Sequence, residues 1–116
     1  LREFLHVDDL SVAAFIIMNL DKKAYHDILY KIGESHINVG SGEEISISEL
    51  CKLLKKISKF KGKIVFNNND LDGVMSKILD SSHMRSLGWS ANISIENGLK
   101  ESFEWFSKNY QSIQRK

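Results

Sequence analysis

The chain has 116 residues, of which 42% are hydrophobic, and this length favours one compact domain over two. Sixteen basic and fifteen acidic residues leave a formal net charge of +1, which gives no general electrostatic reason to expect nucleic acid or an acidic membrane as a partner. The single cysteine excludes an intramolecular disulfide, and no apolar stretch approaches the length needed to cross a bilayer. We therefore expect one domain over residues 1–116 in the reducing cytoplasm.

The first helical pattern covers residues 8–20. Asp8 or Asp9 can cap the amides of its first turn, and the residues that follow are apolar nearly all round. Such a pattern predicts a helix that is mostly buried. A second, short helix is predicted over residues 81–87, where a serine can cap the start and Gly88 suits a left-handed residue after the end.

Two longer amphipathic helices are predicted further along the chain. Ser46 followed by Glu49 matches the capping box, in which each side chain bonds the backbone of the other, and begins a helix over residues 46–59. Ser94 can cap the last helix, over residues 94–110, which carries aromatic residues on one stripe. We expect the apolar stripes of these helices to meet in one core that includes Leu54, Ile57, Phe103 and Phe106.

The remaining segments predict strands and connections. Residues 36–39 and 63–66 read as short strands, and residues 74–79 as a third extended segment. Residues 21–35 are mixed and polar, which predicts an irregular or short helical connection. The predicted fold class is therefore a small mixed α/β domain.

The chain contains no complete catalytic apparatus. Gly40-Ser41-Gly42 lacks the third glycine of a dinucleotide-binding turn, so we interpret it as a structural turn. No tyrosine is followed four residues later by a lysine, so the usual proton-transfer pair of such reductases is missing. The histidines show no metal-ligand spacing, and the lysines of residues 52–63 have the pattern of a solvated helix face. We predict no catalytic residue, no cofactor-binding residue and no metal ligand here.

Several sequence blocks, in one order, resemble a known family. Residues 2–10 read REFLHVDDL, which is similar to the segment that opens the substrate-binding region of extended short-chain dehydrogenases. Its full form resembles most the GDP-L-fucose synthase family. The same family pattern continues through residues 35–42, 46–50, 60–62, 72–73, 77–80 and 87–89.

The resemblance implies a substrate-binding, carboxy-terminal domain without the Rossmann domain. An intact enzyme of this family converts GDP-4-keto-6-deoxy-D-mannose to GDP-L-fucose by epimerising C3 and C5 and reducing the C4 ketone with NADPH. The resemblance places the NADP site and the catalytic groups before Leu1, and the absence of an initiator Met agrees with a fragment. The fragment is expected to be an inactive monomer, whereas the full-length enzyme is expected to form a homodimer.

The resemblance also names three residues for binding the GDP-sugar: Arg2, Asp72 and Lys77. Arg2 matches an arginine that contacts the diphosphate, and Asp72 matches a loop aspartate that binds the nucleotide-sugar. The alternatives are that Arg2 pairs with a carboxylate and that Asp72 caps the turn at Gly73. The family loop reads KPDGTPRK where residues 70–77 read DLDGVMSK, so both prolines and the arginine are replaced.

Two other functions remain open at this stage. The altered loop is compatible with another NAD(P)-dependent nucleotide-sugar epimerase or dehydratase. The missing catalytic half is compatible with a non-catalytic interaction module.

Overall fold

The computed structural model describes residues 1–33, 35–67 and 75–113. Within these ranges the chain forms a two-stranded sheet and five helices, and none of the helices is long and apolar enough to cross a membrane. In chain order the elements are β1 (Arg2–Glu3), α1 (Val7–Met18), α2 (Lys22–Ile32), β2 (Glu44–Ile45), α3 (Ile47–Ser58), α4 (Ser82–Ser86) and α5 (Ile95–Ile113). The predicted small mixed α/β domain is confirmed, and all four predicted helices are present within a few residues of their expected ends.

The start of α1 differs from its prediction. The cap is His6, whose Nδ1 accepts a hydrogen bond from the backbone N–H of Asp8 at 3.3 Å. Neither aspartate caps the helix through its side chain, because Asp8 points into solvent and Asp9 turns into the protein. The cap prediction at Asp8 or Asp9 is therefore wrong, although both carboxylates lie in the first turn, where the helix dipole favours negative charge.

The predicted capping box of α3 is confirmed. Ser46 Oγ accepts from the backbone N–H of Glu49 at 3.1 Å, and Glu49 Oε2 accepts from the backbone N–H of Ser46 at 3.1 Å. The Ser46 hydroxyl also donates to Glu49 Oε2 at 2.6 Å. These bonds, the one from the hydroxyl first, lower the pKa of Glu49 from its ordinary value. Sequence alone thus locates the first residue of this helix.

The segment after α1 forms a helix, which is one of the two structures predicted for it. Asp21 Oδ1 accepts from the backbone N–H of Ala24 at 2.8 Å and caps α2, which then runs for 11 residues. Side-chain capping by an aspartate satisfies an amide that the first turn leaves without a partner, so the helix begins cleanly at Lys22. Of the two expected structures, an irregular or a short helical connection, the helix is the one that forms, over Lys22–Ile32.

The predicted strands over residues 36–39 and 63–66 are wrong. The only ladder in the described ranges is antiparallel and joins β1 to β2, with Arg2 opposite Ile45 and Glu3 opposite Glu44. A strand needs a neighbouring backbone to bond, and an alternating pattern does not supply one. Ile37 and Val39 pack against the buried core, which accounts for the alternation that suggested a strand.

The predicted extended segment over residues 74–79 also forms no ladder in its described part. The backbone N–H groups of Lys77 and Leu79 donate to glutamate side chains rather than to a strand. Residue 74 lies outside the described ranges.

The core lies between α1, α4 and the loop that precedes α5. Ala13, Met84 and Trp89 are buried there, and Trp89 Nε1 donates to the backbone oxygen of Asp9 at 3.2 Å. Asp9, only 5% exposed, accepts hydrogen bonds from the backbone N–H groups of Asn92 and Ile93. The half-buried residues around this cluster are Leu5, Ile16, Ile17, Ile37, Val39, Leu87 and Ala91.

The prediction of one common core is wrong for α3 and α5. The two helices contact each other, but none of their residues belongs to the cluster around Met84. Leu54 and Phe106 remain 38% and 46% exposed, and Ile57 and Phe103 are half-buried. The helices meet through stripes that are only partly covered, so the apolar pattern correctly identifies the inward faces but not a shared interior.

Candidate functional site

The strand corner, by which we mean β1, β2 and residues 75–79, contains two of the three predicted binding residues. Arg2 lies on β1 opposite Ile45, and its Nη1 donates to the backbone oxygen of Leu1 at 2.6 Å. The terminal amino group of Leu1 donates to the backbone oxygen of Met75, which places Met75 beside β1. Arg2 is half-buried, so part of its surface remains accessible to a ligand.

Glu3 binds two separate segments of the chain. Its Oε1 accepts from the backbone N–H of Gly42 at 2.7 Å, and its Oε2 accepts from the backbone N–H of Leu79 at 2.9 Å. A Cβ at Gly40 would lie 2.5 Å from Glu3 Oε1, so a larger residue at that position would displace the Glu3 carboxylate. The predicted structural turn at Gly40-Ser41-Gly42 is therefore present, and it packs against a carboxylate.

Ser81 also binds the backbone of this turn, at Gly40. Its hydroxyl is buried and accepts from the backbone N–H of Gly40 at 2.8 Å. The serine expected to cap α4 thus bonds a residue 41 positions away, and Asp80 instead accepts from the backbone N–H of Ser82 at 2.9 Å. This bond is the first cause of a lowered pKa at Asp80.

Glu44 binds the beginning of residues 76–79, and Glu3 binds the end of the same segment. Glu44 Oε1 accepts from the hydroxyl of Ser76 at 2.6 Å and from the backbone N–H of Lys77 at 3.0 Å. Because Glu44 is the cross-strand partner of Glu3, the two carboxylates and their donors lie in one small region. The backbone of Lys77 is therefore placed close to the strand that contains Arg2.

A groove of about 490 Å³ lies next to this corner, between β2, α3 and the start of α5. Its walls combine apolar residues such as Phe4 and Ile93 with the lysines Lys52 and Lys56. Lys56 Nζ lies 2.8 Å from Glu96 Oε1, and this hydrogen bond raises the pKa of Lys56 and lowers the pKa of Glu96. The two groups are therefore charged near neutral pH, and the groove has cationic and anionic groups at its edge.

Known proteins similar to this chain include GDP-L-fucose synthases. No family model matches the chain. GDP-L-fucose synthase 1 of Arabidopsis thaliana is 40% identical over 94% of this chain, and GDP-L-fucose synthase of Escherichia coli is 38% identical over the same share. This chain is homologous to part of GDP-L-fucose synthase. The resemblance found in the sequence is therefore confirmed. The chain spans 31% of the length of the Arabidopsis protein and 34% of the length of the E. coli protein.

Solved structures similar to this chain include reductases of GDP-sugars. A GDP-6-OMe-4-keto-L-xylo-heptose reductase from Campylobacter jejuni has a TM-score of 0.76 and 38% identity, and covers 93% of this chain and 31% of its own. A GDP-mannoheptose C4 reductase from the same organism, with NADP bound, has a TM-score of 0.70 and 37% identity, and covers 91% of this chain and 31% of its own. The matched region is the carboxy-terminal part of extended short-chain dehydrogenases. NADP is thus bound in one of these two related structures.

The structure brings together two of the three residues assigned by resemblance to GDP-L-fucose synthase. Arg2 and the backbone of Lys77 lie at the strand corner, whereas Asp72 lies outside the described residues. Sequence reasoning missed Glu3 and Glu44. Glu3 stands directly after Arg2 in the family-like segment, which was a usable signal, but no local pattern marks Glu44, whose donors are 32 and 33 residues away. Within the described ranges, no group of three or more potential ligand side chains could hold a metal ion.

Proposed function

We propose that this chain is the nucleotide-sugar-binding part of an NADP-dependent GDP-L-fucose synthase, which converts GDP-4-keto-6-deoxy-D-mannose to GDP-L-fucose. The observation that carries the proposal is the 38–40% identity to two GDP-L-fucose synthases over 94% of the chain. The structural neighbours are also named for GDP-sugars, which supports the GDP-sugar as the shared substrate class. The cofactor supplies hydride for reduction of the ketone, and in this proposal it binds to a part of the enzyme outside this chain.

The role of this chain in that enzyme is to bind and orient the substrate. A guanidinium stays charged at all working pH values and can donate two parallel hydrogen bonds to a phosphate, which fits Arg2 to the diphosphate. In the same proposal Asp72 accepts from substrate hydroxyls, and Lys77 adds a weaker contact. Fixing the diphosphate restricts where the sugar ring can lie, and correct placement of reacting groups lowers the barrier without any chemical step by these residues.

A second candidate is a reductase for a different GDP-sugar, such as a GDP-heptose. Two observations favour it: the TM-score of 0.76 to a heptose reductase, and the replacement of both family prolines and the arginine in residues 70–77. Loss of two fixed φ angles and one cation alters the part of the site that the resemblance assigns to substrate binding. Turnover of a panel of GDP-4-keto-sugars by the complete enzyme would separate the two candidates by their relative kcat/KM.

The principal test is Arg2→Ala in the complete enzyme. Loss of charge-assisted hydrogen bonds worth about 1.5–3 kcal/mol each should raise KM for the GDP-sugar at least about tenfold and leave NADPH affinity unchanged. Arg85→Ala is the matched control, because Arg85 is exposed on α4 and lies 3.6 Å from Asp80. An unchanged KM in a normally stable Arg2→Ala enzyme would contradict the assignment, whereas loss of both stability and binding would indicate a structural role.

A second test concerns the chain alone. We propose that NADPH binding, turnover and dimer contacts all require the part of the enzyme outside residues 1–116. Calorimetry should then show no saturable binding of NADPH at micromolar concentrations, and sedimentation should show a monomer. Micromolar NADPH binding by this chain would show that the cofactor site has been misplaced.

A further inference from the structure

Glu3 and Glu44 form an unusual pair for a two-stranded sheet. They are direct partners in the antiparallel ladder, so their side chains emerge on the same face. Like charges directly opposite each other destabilise a sheet, and this ladder has only two residue pairs over which to offset that repulsion. The pair therefore requires compensation from other parts of the chain.

The compensation comes from hydrogen-bond donors on residues 76–79. Ser76 and Lys77 both donate to Glu44 Oε1, at 2.6 Å and 3.0 Å, and Leu79 donates to Glu3 Oε2 at 2.9 Å. Hydrogen bonds to an ionised carboxylate are stronger than those between neutral groups. Two of the three donors are backbone N–H groups, so the bonds fix the main chain itself rather than a side chain that can rotate.

Residues 76–79, which are held in this way, lie close to the proposed binding site. It begins two residues after the undescribed stretch 68–74, which contains Asp72, and it includes Lys77. Met75, which precedes this segment, accepts a hydrogen bond from the terminal amino group of Leu1, the residue before Arg2. A shift of residues 76–79 would therefore move the main chain at Lys77 relative to the strand that holds Arg2.

We propose that Glu3 and Glu44 are positioning residues of the GDP-sugar site, which act by holding residues 76–79 against β1 and β2. This inference rests on the proposed function. Neither glutamate contacts the substrate; each sets the distance between the Arg2 strand and the Lys77 segment, and so determines whether both can reach one diphosphate-containing ligand. Glu44 is the more specific of the two, since Glu3 also holds the turn at Gly42.

The first experiment measures how firmly Glu44 holds the backbone of Lys77. It uses amide hydrogen exchange of the chain, with NMR as the readout. Glu44→Ala removes the acceptor of Lys77, so exchange at the Lys77 amide should accelerate about tenfold while the Leu79 amide, held by Glu3, changes much less. Glu43→Ala is the matched control, because it removes the same charge from the adjacent residue and should leave both amides unchanged. Equal exchange at Lys77 in the wild type and Glu44→Ala would overturn the proposal.

The second experiment measures the consequence in the complete enzyme. Glu44→Ala should raise KM for the GDP-sugar at least about fivefold, with kcat at saturating substrate within about twofold and NADPH affinity unchanged. Glu44→Gln retains an acceptor oxygen without the charge and should restore part of the affinity, and it replaces Glu44→Ala if the alanine variant does not fold. Glu43→Ala should behave as the wild type.

The outcomes separate this inference from the function on which it rests. If the wild type binds no GDP-sugar, the proposed function fails, and the positioning role fails with it. If the wild type binds GDP-sugar and Glu44→Ala accelerates exchange at Lys77 without changing KM, the proposed function stands and the positioning role is overturned. A rise in KM that accompanies faster exchange at Lys77, and that Glu44→Gln partly reverses, is the result we expect.

Discussion

The region around Met84 and the strand corner are held together by different forces. Around Met84, three apolar side chains are buried between α1, α4 and the following loop, and the surrounding residues are half-buried and apolar. At the strand corner, Ile78 and Leu79 are 49% and 42% exposed, and the segments are joined by carboxylates that accept backbone hydrogen bonds. The first region excludes water, whereas the second remains open to it.

This difference fits the proposed role of the strand corner in binding a GDP-sugar. Apolar burial stabilises most when a surface is closed completely, since its free energy scales with the area removed from water. A site for a charged ligand cannot be closed in that way, because the ligand must replace water there. Hydrogen bonds to ionised side chains can hold neighbouring segments in place while their outer surface stays accessible. The comparison predicts large effects of core substitutions on stability and smaller effects where exposed carboxylates are involved.

The largest effect is expected for Trp89→Ala. Trp89 is 4% exposed and its indole N–H bonds the backbone of Asp9, so truncation removes a buried ring and leaves a cavity. The free energy of unfolding should fall by about 3–5 kcal/mol, measured by urea denaturation. Trp105→Ala is the matched control, since Trp105 is 60% exposed on α5 and should cost less than about 1 kcal/mol. Equal losses for the two variants would show that the region around Met84 is not the stabilising core.

Sequence reasoning succeeded where the signal is local. The capping box of Ser46 and Glu49 involves residues three apart, and it is present as predicted. Gly88, expected after a short helix, has a φ of 81° in the left-handed region that glycine adopts readily. Such features depend on the nearest neighbours in the chain, so one sequence is sufficient to predict them.

Sequence reasoning failed where the partner is remote. The pairing of β1 with β2 joins residues about 40 positions apart, and alternation in residues 36–39 could not reveal that this segment has no strand beside it. The role of Asp9 could not be read from its neighbours either, because its donors are 83 and 84 residues away. The same limit applies to the candidate site: Arg2 and Lys77 came from family resemblance, and Glu44 could be recognised only from the fold.

Asp9→Ala tests whether a buried carboxylate contributes more to the free energy of unfolding than an exposed carboxylate does. Its oxygens accept from the backbone N–H groups of Asn92 and Ile93, at 3.2 Å and 2.9 Å, just before α5. Removing them leaves two partly buried donors without an acceptor, and the free energy of unfolding should fall by about 1–3 kcal/mol. Asp8→Ala is the control, because the Asp8 side chain is 74% exposed. Similar losses for Asp8→Ala and Asp9→Ala would contradict the distinction between buried and exposed carboxylates.

The smallest effect is expected at the start of α3, where an exposed carboxylate makes local hydrogen bonds. Ser46→Ala removes the cap and should lower the free energy of unfolding by about 1 kcal/mol near neutral pH, whereas Ser48→Ala, two residues further along the chain, should have little effect.

The Ser46 hydrogen bonds lower the pKa of Glu49 in the folded chain, so the stability contributed by Glu49 is present above its unfolded pKa and is lost as the pH falls through the lowered folded value. Because Ser46→Ala removes the hydroxyl that is the first cause of this shift, the difference in melting temperature between the wild type and the variant should narrow between pH 7 and pH 3. A difference that stays constant over this range would show that the capping box acts through the hydroxyl alone, and that the ionised form of Glu49 adds nothing to it.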